Sequence, residues 1–153
     1  MLKSFGETEL TAPPGQASYR VLVERSLARF AYSARLDIRS DGSGRLTVGR
    51  AGLMDKSGPA LRTGQVDIPA AEVVVVTRAL AASPFEHISA DGDLSHRYDC
   101  VDGGTNVFEA YVNQRYRYVM RGCAPDEGVV AAIATPLADL AIRHFPDWLL
   151  VKP

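Results

Sequence analysis

Every second residue is apolar in two neighbouring stretches near the start of the chain, Tyr19 to Val23 and Phe30 to Ile38. This alternation is typical of half-buried β-strands, because successive side chains of a strand point to opposite faces of a sheet. The turn-forming residues Asp41 to Gly44 follow the second stretch and predict a β-hairpin. A hairpin that is symmetric about Gly42 pairs Ile38 with Leu46 and Leu36 with Val48.

The middle of the chain changes from strand spacing to helix spacing. Residues Arg50 to Gly64 are rich in glycine and polar residues and predict a long loop, and Gln65 to Ile68 predict a short strand. We expect a helix from Pro69 to Ala82, because proline suits the first helical position and Ser83-Pro84 stops a helix. The apolar residues at helical spacing are Val73, Val76 and Leu80.

Three further strands are predicted in the second half of the chain. Arg97 to Val101 can pair with Thr105 to Val112 across Asp102-Gly103, and Asn113-Gln114 can join the latter strand to Arg115 to Gly122. One face of this meander carries the pairs Tyr111 with Tyr116, Glu109 with Tyr118, and Val107 with Met120. The other face carries Val112 with Arg115, Phe108 with Val119, and Asn106 with Arg121. We expect the first face to belong to the core.

The last predicted element is a helix that begins near Asp126, a residue suited to cap a helix N-terminus. Pro136 interrupts the helical pattern, so we expect either two abutting helices or one kinked helix that ends before Pro146. Its apolar stripe comprises Val130, Ile133, Leu137, Leu140 and His144.

These elements predict an α+β fold, in which an antiparallel sheet of two hairpin or meander units packs against two helices. Residues 1–17 are rich in polar residues and contain Pro13-Pro14-Gly15, so they are expected to form a flexible N-terminal arm. Residues 18–153 are expected to form a single domain, since their number is typical of one hydrophobic core.

Composition and charge exclude two classes of partner. The formal net charge is -1 at pH 7, and this is too small to attract nucleic acid or an anionic membrane non-specifically. No apolar run approaches the roughly 20 residues that a membrane-spanning helix needs. The expected compartment is cytoplasmic if Met1 is native, and periplasmic or secreted if a signal peptide has been removed.

Cys100 and Cys123 are too few for a disulfide scaffold or a four-cysteine zinc site. They can form one disulfide, although the predicted strands place them about 10 Å apart, beyond the usual Cα separation of about 7 Å. Alternatively, Cys123 lies near a helix start that favours a thiolate, or both thiols are inert. The sequence leaves these readings open.

A cluster of histidine and aspartate residues between His87 and Asp102 is the best candidate for catalysis. His96 could act as a base oriented by Asp93 or Asp99, as in a small hydrolase or ligand-binding enzyme. The spacing does not match a calcium loop or a helical zinc motif, so no metal or other cofactor is expected. An acidic turn region has the same composition and needs no catalytic role.

Arg115, Arg117 and Arg121 lie on one face of the predicted last strand, and Asn106 lies opposite Arg121. Arginine is favoured at protein interfaces because its planar cation binds carboxylates in a fork. Since no recognisable catalytic motif is present, the leading hypothesis is a non-catalytic protein-binding module, an inhibitor or immunity-type protein. The four residues are its candidate binding residues, and the long loop from Arg50 to Gly64 is the alternative binding surface. The identity of the partner and the oligomeric state are left open.

A coarse resemblance to known proteins rests on the order of several short motifs. Glu24-Arg25-Ser26 precedes the aromatic strand Phe30 to Ile38 and an Asp-Gly turn, and Ser83-Pro84-Phe85 follows the first helix. A hairpin and a last helix preceded by proline complete the pattern. In this order the chain resembles small bacterial α+β domains and the emfourin-type protease inhibitors. The resemblance implies an inhibitory function. It also implies a glycine-rich element after the first strand, and this chain lacks that element at Ser26 to Arg29.

Overall fold

The computed structural model describes residues 9–13, 15–25, 30–52, 62–88, 104–122 and 127–148. The strands are β1 (Ala17–Arg25), β2 (Phe30–Ile38), β3 (Gly44–Gly52), β4 (Arg62–Ile68), β5 (Gly104–Val112) and β6 (Arg115–Gly122). The helices are α1 (Ala70–Ala81) and α2 (Glu127–His144), and a short 3₁₀ helix, Pro84–Glu86, follows α1. The predicted α+β class is confirmed.

The six strands form one antiparallel sheet in the order β4-β3-β2-β1-β5-β6. Both helices pack on one face of it, which we call the helix face; the opposite face is the far face. Helix α2 contacts α1 and the strands β1, β2, β5 and β6, while Val73 of α1 lies over Gly44 of β3. The helix face therefore holds the main core of the protein.

The core confirms the predicted apolar stripes of both helices. Val73, Val76 and Leu80 of α1 are buried, and each apolar residue predicted for α2 is buried except His144. The strands contribute alternate residues, which include Val21, Ala34, Leu36, Leu46, Val48, Phe108 and Val119. Burial of these side chains is the main favourable contribution to folding.

The register of the first hairpin differs from the prediction by two residues. Leu36 pairs with Leu46, and Ile38 pairs with Gly44. The amide of Gly42 donates to the carbonyl of Arg39 at 3.0 Å, and Gly42 adopts a φ of 83°. The left-handed Gly42 is thus the last residue of a four-residue turn that begins at Arg39, and the hairpin is symmetric about Asp41 instead of Gly42. Because the shift is two residues, each side chain keeps its predicted face.

The second hairpin has the predicted register throughout. Val112 pairs with Arg115, Phe108 with Val119, and Asn106 with Arg121. Asn113 and Gln114 have φ values of 51° and 61°, the positive values of a two-residue type I′ turn. On its other edge β5 pairs with β1, so the predicted pairing of this edge with Arg97 to Val101 is wrong. Arg97 to Val101 themselves lie outside the described residues.

The face of this hairpin that we expected to join the core is the far face, so that prediction is wrong. The helices cover Phe108, Ala110 and Val119, whereas Tyr116 and Met120 of the far face are 42% and 41% exposed. Strand alternation separates the two faces without showing which one the helices cover. The pairing of β5 with β1 decides which face of the hairpin the helices cover. It places Phe108 beside the core residue Val21, and Glu109 beside Arg20 on the far face.

Helix α2 is one continuous helix that contains Pro136 and ends before Pro146, so the alternative of two abutting helices is not adopted. Strand β1 begins at Ala17, the last residue of the predicted arm, and Leu10 within that arm is 1% exposed. No helix in the described part of the chain is both long enough and apolar enough to cross a membrane.

Candidate functional site

The four predicted binding residues divide into two groups in the structure. Arg115 is exposed and Arg117 is partly exposed, whereas Asn106 and Arg121 are 4% and 5% exposed. Arg121 lies six residues beyond Arg115 on the same strand, a separation of about 20 Å at the usual rise of a strand. The four residues therefore do not form one surface.

Arg121 and Asn106 are paired across β5 and β6 inside the protein. The Nη1 atom of Arg121 donates to the backbone carbonyl of Met120 at 2.8 Å. A buried guanidinium needs such partners, because an uncompensated buried charge is costly. The geometry of these two residues suits a role within the fold.

Arg117 of β6 forms hydrogen bonds with the segment that follows α1 and holds that segment against the sheet. Its Nε donates to the carbonyl of Phe85 at 3.0 Å, and its Nη2 donates to the carbonyl of Ile88 at 2.6 Å. The guanidinium also lies 5.6 Å from the centre of the Phe85 ring. Phe85 in turn packs edge to face on Phe108, with ring centres 5.0 Å apart. Arg117 is consequently held in one position beside the core.

These contacts form one wall of an open cleft of about 600 Å³ beside the end of the second hairpin. A cleft of this volume can receive a small ligand or a few side chains of another protein. The residues that line it are Phe85, Glu86, Ala110, Val112, Asn113, Arg115, Tyr116 and Arg117. Two of the four predicted binding residues, Arg115 and Arg117, are thus brought together in a concave site.

A buried ion pair supports the cleft from the far face of the sheet. Arg20 on β1 binds Glu109 on β5 through two hydrogen bonds, from Nε at 2.5 Å and from Nη2 at 2.9 Å. Both side chains are almost fully buried. Tyr116, which lines the cleft, donates its hydroxyl to Oε1 of Glu109 at 2.7 Å. The carboxylate is therefore shared between a cation and a phenol.

Burial raises the pKa of the Tyr116 hydroxyl, and the hydrogen bond and the charge of Glu109 raise it further. Tyr116 consequently remains a neutral donor at physiological pH. The charged side chains of the residues that line the cleft are then two arginine cations and the carboxyl group of Glu86, while the phenol of Tyr116 is bonded to Glu109 on the far face.

The sequence did not indicate Arg20, Glu109 and Tyr116 as members of one network. Arg20 and Glu109 are 89 residues apart in the chain, and they meet because β1 pairs with β5. Two features of the sequence could have indicated this network, an arginine within an otherwise apolar strand and a glutamate predicted opposite a tyrosine. Both positions suggest buried charge, because charged residues rarely occur in the middle of apolar strands without a partner.

The other predicted candidates lie mostly outside the described residues. This is true of Cys100 and Cys123, and of the catalytic cluster apart from His87, which is exposed. Within the described ranges, no group of three or more histidine, cysteine, aspartate or glutamate side chains could hold a metal ion.

A comparison with models of known protein families gives no match, and neither does a search of curated proteins. The resemblance to emfourin-type inhibitors therefore remains a prediction.

Proposed function

We propose that the protein is a non-catalytic binding module, of the inhibitor or immunity type, and that its cleft receives an acidic segment of a partner protein. The observation that carries the proposal is the placement of Arg115 and Arg117 on one face of β6, where both line the same cleft. Residues two apart in a strand are separated by about 7 Å, which matches alternate side chains of an extended segment.

Charge and shape both support an acidic partner segment. Arginine binds carboxylates through charge-assisted, paired hydrogen bonds, and it is enriched at protein interfaces. Ala110, Val112 and Phe85 supply apolar surface beside the two cations. Apolar anchors that exclude water strengthen neighbouring charge pairs, as in the energetically important centres of interfaces.

The cleft also has a rigid frame, which limits the entropy lost when a partner binds. Arg117 is held by two carbonyls of the segment after α1. The type I′ turn fixes Asn113 at the end of the cleft. Arg115 is the exposed member, so it is the residue that can be changed without disturbing the core.

A peptide-binding experiment tests this proposal. The probe is an extended peptide with two glutamates separated by one valine, and its controls replace both glutamates by glutamine or by lysine. We expect the glutamate peptide to bind most tightly and to weaken with added salt, because exposed charge pairs are screened. Isothermal titration calorimetry measures the affinities.

The variant Arg115→Glu should weaken binding of the glutamate peptide by about tenfold or more, since it replaces attraction by repulsion. Arg78→Glu is the matched control, because Arg78 is an exposed arginine on α1, away from the cleft. Equal affinity of wild type and Arg115→Glu, or equal affinity for the glutamate and lysine peptides, would contradict the proposal. A natural partner captured by the protein should likewise be lost with Arg115→Glu and retained with Arg78→Glu.

A further inference from the structure

A second cavity lies at the opposite edge of the sheet and takes no part in the proposed cleft. Its volume is about 370 Å³, and it is formed between strands β3 and β4 and the residues that follow α2. This volume lies near the lower end of the range for small-molecule sites. Its lining residues are Val48, Arg50, Thr63, Gly64, His144, Phe145, Pro146, Asp147 and Trp148.

Trp148 forms a fixed aromatic wall of this cavity. Its indole Nε1 donates to the carbonyl of Gly49 at 3.1 Å, and the side chain is 6% exposed. It packs edge to face on Tyr32, with ring centres 6.1 Å apart. The guanidinium of Arg50 lies 5.9 Å from the centre of the same Tyr32 ring. Tyr32 therefore positions both Trp148 and Arg50.

Phe145 is held equally closely by β4. A Cβ atom at Gly64 would lie 2.5 Å from Cε1 of Phe145, so the ring packs directly on the glycine backbone. The amide of Phe145 donates to the carbonyl of Ala141 at 2.8 Å, which continues the bonding of α2 into this segment. The apolar walls are thus ordered before any ligand enters, which lowers the entropic cost of binding.

The charged groups around the cavity favour an anion in its interior. Arg50 is partly buried, whereas the acidic Asp147 is exposed. His144 lies with Nε2 at 3.1 Å from the carboxylate of Glu72, which engages that nitrogen. The guanidinium of Arg50 also lines the cavity beside the aromatic wall. A guanidinium has five N–H donors, and two of them can bind a carboxylate in a fork.

We propose that this cavity binds a small organic carboxylate whose apolar body is about the size of one aromatic ring. The carboxylate contacts Arg50, and the apolar body packs against Val48, Phe145 and Trp148. This site is independent of the cleft at Arg115, so one proposal can fail without the other.

Tyr32 supplies an additional observation. Its hydroxyl is buried and meets no hydrogen-bond partner among the described residues. A buried polar atom without a partner is unfavourable, and such atoms are rare unless a ligand or water satisfies them. We assign Tyr32 a positioning role for Arg50 and Trp148, both of which contact its ring.

Trp148 makes the experiment specific to this cavity, because the chain contains a single tryptophan. The probe is phenylacetate, and the control ligand is phenylacetamide, which has nearly the same shape without the charge. We expect phenylacetate to change the tryptophan fluorescence in a saturable manner, with a Kd on the order of 1 mM for a ligand of about ten non-hydrogen atoms. Phenylacetamide should bind about tenfold more weakly, because it cannot form the charge-assisted pair.

The variant Arg50→Gln should weaken the binding of phenylacetate about tenfold and leave the binding of phenylacetamide unchanged. Unchanged binding of the amide shows that the variant has lost the charge and kept the fold. Arg45→Gln is the matched control, since Arg45 lies on the same strand with its side chain on the far face and is 51% exposed. Arg115→Glu should bind phenylacetate like the wild type.

Three results would overturn the proposal. The first is an absence of saturable fluorescence change with phenylacetate in the wild type. The second is equal binding of acid and amide, which needs no variant to observe. The third is an Arg50→Gln protein that binds phenylacetate as tightly as Arg45→Gln does.

Discussion

The two faces of the sheet bury their residues by different means. On the helix face, apolar side chains such as Leu36 and Phe108 pack against α1 and α2. The far face carries a smaller apolar cluster of Leu22, Ala31, Ala51 and Val107, and it also buries Arg20 and Glu109 just as completely, but as an ion pair. Apolar burial is favourable without a specific partner, whereas buried charge is tolerated only when each group is paired. The far face therefore depends on individual contacts far more than the helix face does.

Polar pairing extends across the far face beyond the buried ion pair. Ser18 donates to Asp37 at 2.6 Å, and Arg35 donates to the same carboxylate oxygen at 2.8 Å. Towards β4, Asp67 accepts from Arg39 at 2.6 Å and from Arg45 at 3.2 Å. The side chains of these pairs become more exposed towards β4. The contribution of each pair to the free energy of unfolding should therefore decrease in the same direction.

The largest effect is expected from Glu109→Ala. This change removes the carboxylate that binds the buried guanidinium of Arg20 through two hydrogen bonds, and it should lower the free energy of unfolding by about 3–5 kcal/mol. The double variant Arg20→Met with Glu109→Leu should recover most of that loss, since it removes both charges. Urea denaturation measures both values. A cost below about 1 kcal/mol for Glu109→Ala would show that the far face does not depend on the pair.

Gly64→Ala should destabilise the protein by about 1–3 kcal/mol, because the added methyl group collides with the ring of Phe145. Gly52→Ala on the neighbouring strand is the control. A Cβ atom there meets no atom of the described residues within 4 Å, so the change should stay within about 0.5 kcal/mol. Thermal unfolding of the two variants distinguishes overpacking from a general effect of alanine in strands; similar values for both would contradict the close packing at Phe145.

Two tyrosines give a sharper version of the same comparison. Tyr116→Phe removes the hydrogen bond to Glu109 and should cost about 1 kcal/mol, since the hydroxyl is only half-buried. Tyr32→Phe removes a hydroxyl that has no partner in the described part of the chain, so it should be neutral to within about 0.5 kcal/mol. Chemical denaturation measures both. A larger cost for Tyr32→Phe than for Tyr116→Phe would reverse the expected order.

The smallest effect is expected at the exposed end of the far face. Hydrogen bonds from Arg39 and then Arg45 lower the pKa of Asp67. A lowered pKa in the folded state means that the stabilisation is present above about pH 4 and is lost as the pH falls further. Asp67→Asn should therefore melt below the wild type at pH 7 in low salt, and the difference in Tm should shrink towards pH 3. A difference that is independent of pH and salt would exclude this ion pairing as its cause.

Local patterns were sufficient for several elements of the fold. Apolar spacing predicted α1 and α2, and Asn113-Gln114 predicted the register of the second hairpin because a two-residue turn leaves one pairing. The first hairpin was predicted with the wrong register, since Gly42 could occupy more than one position of the turn. For the candidate site, the sequence indicated Arg115 and Arg117 but grouped them with two residues that lie in the interior.

Sequence alone determined the identity of most elements, because strand and helix periodicity and turn chemistry depend on neighbouring residues. The bounds were less well determined, since β3 and β4 both extend into the loop predicted from Arg50 to Gly64. Only the tertiary structure decided which face of the second hairpin is covered, that Arg20 meets Glu109, and that Trp148 reaches the backbone of Gly49, 99 residues away. Those contacts depend on strand order and on the packing of α2. No short stretch of the chain encodes the strand order or the packing of α2, because both result from the burial of side chains and the pairing of strands over the whole sheet.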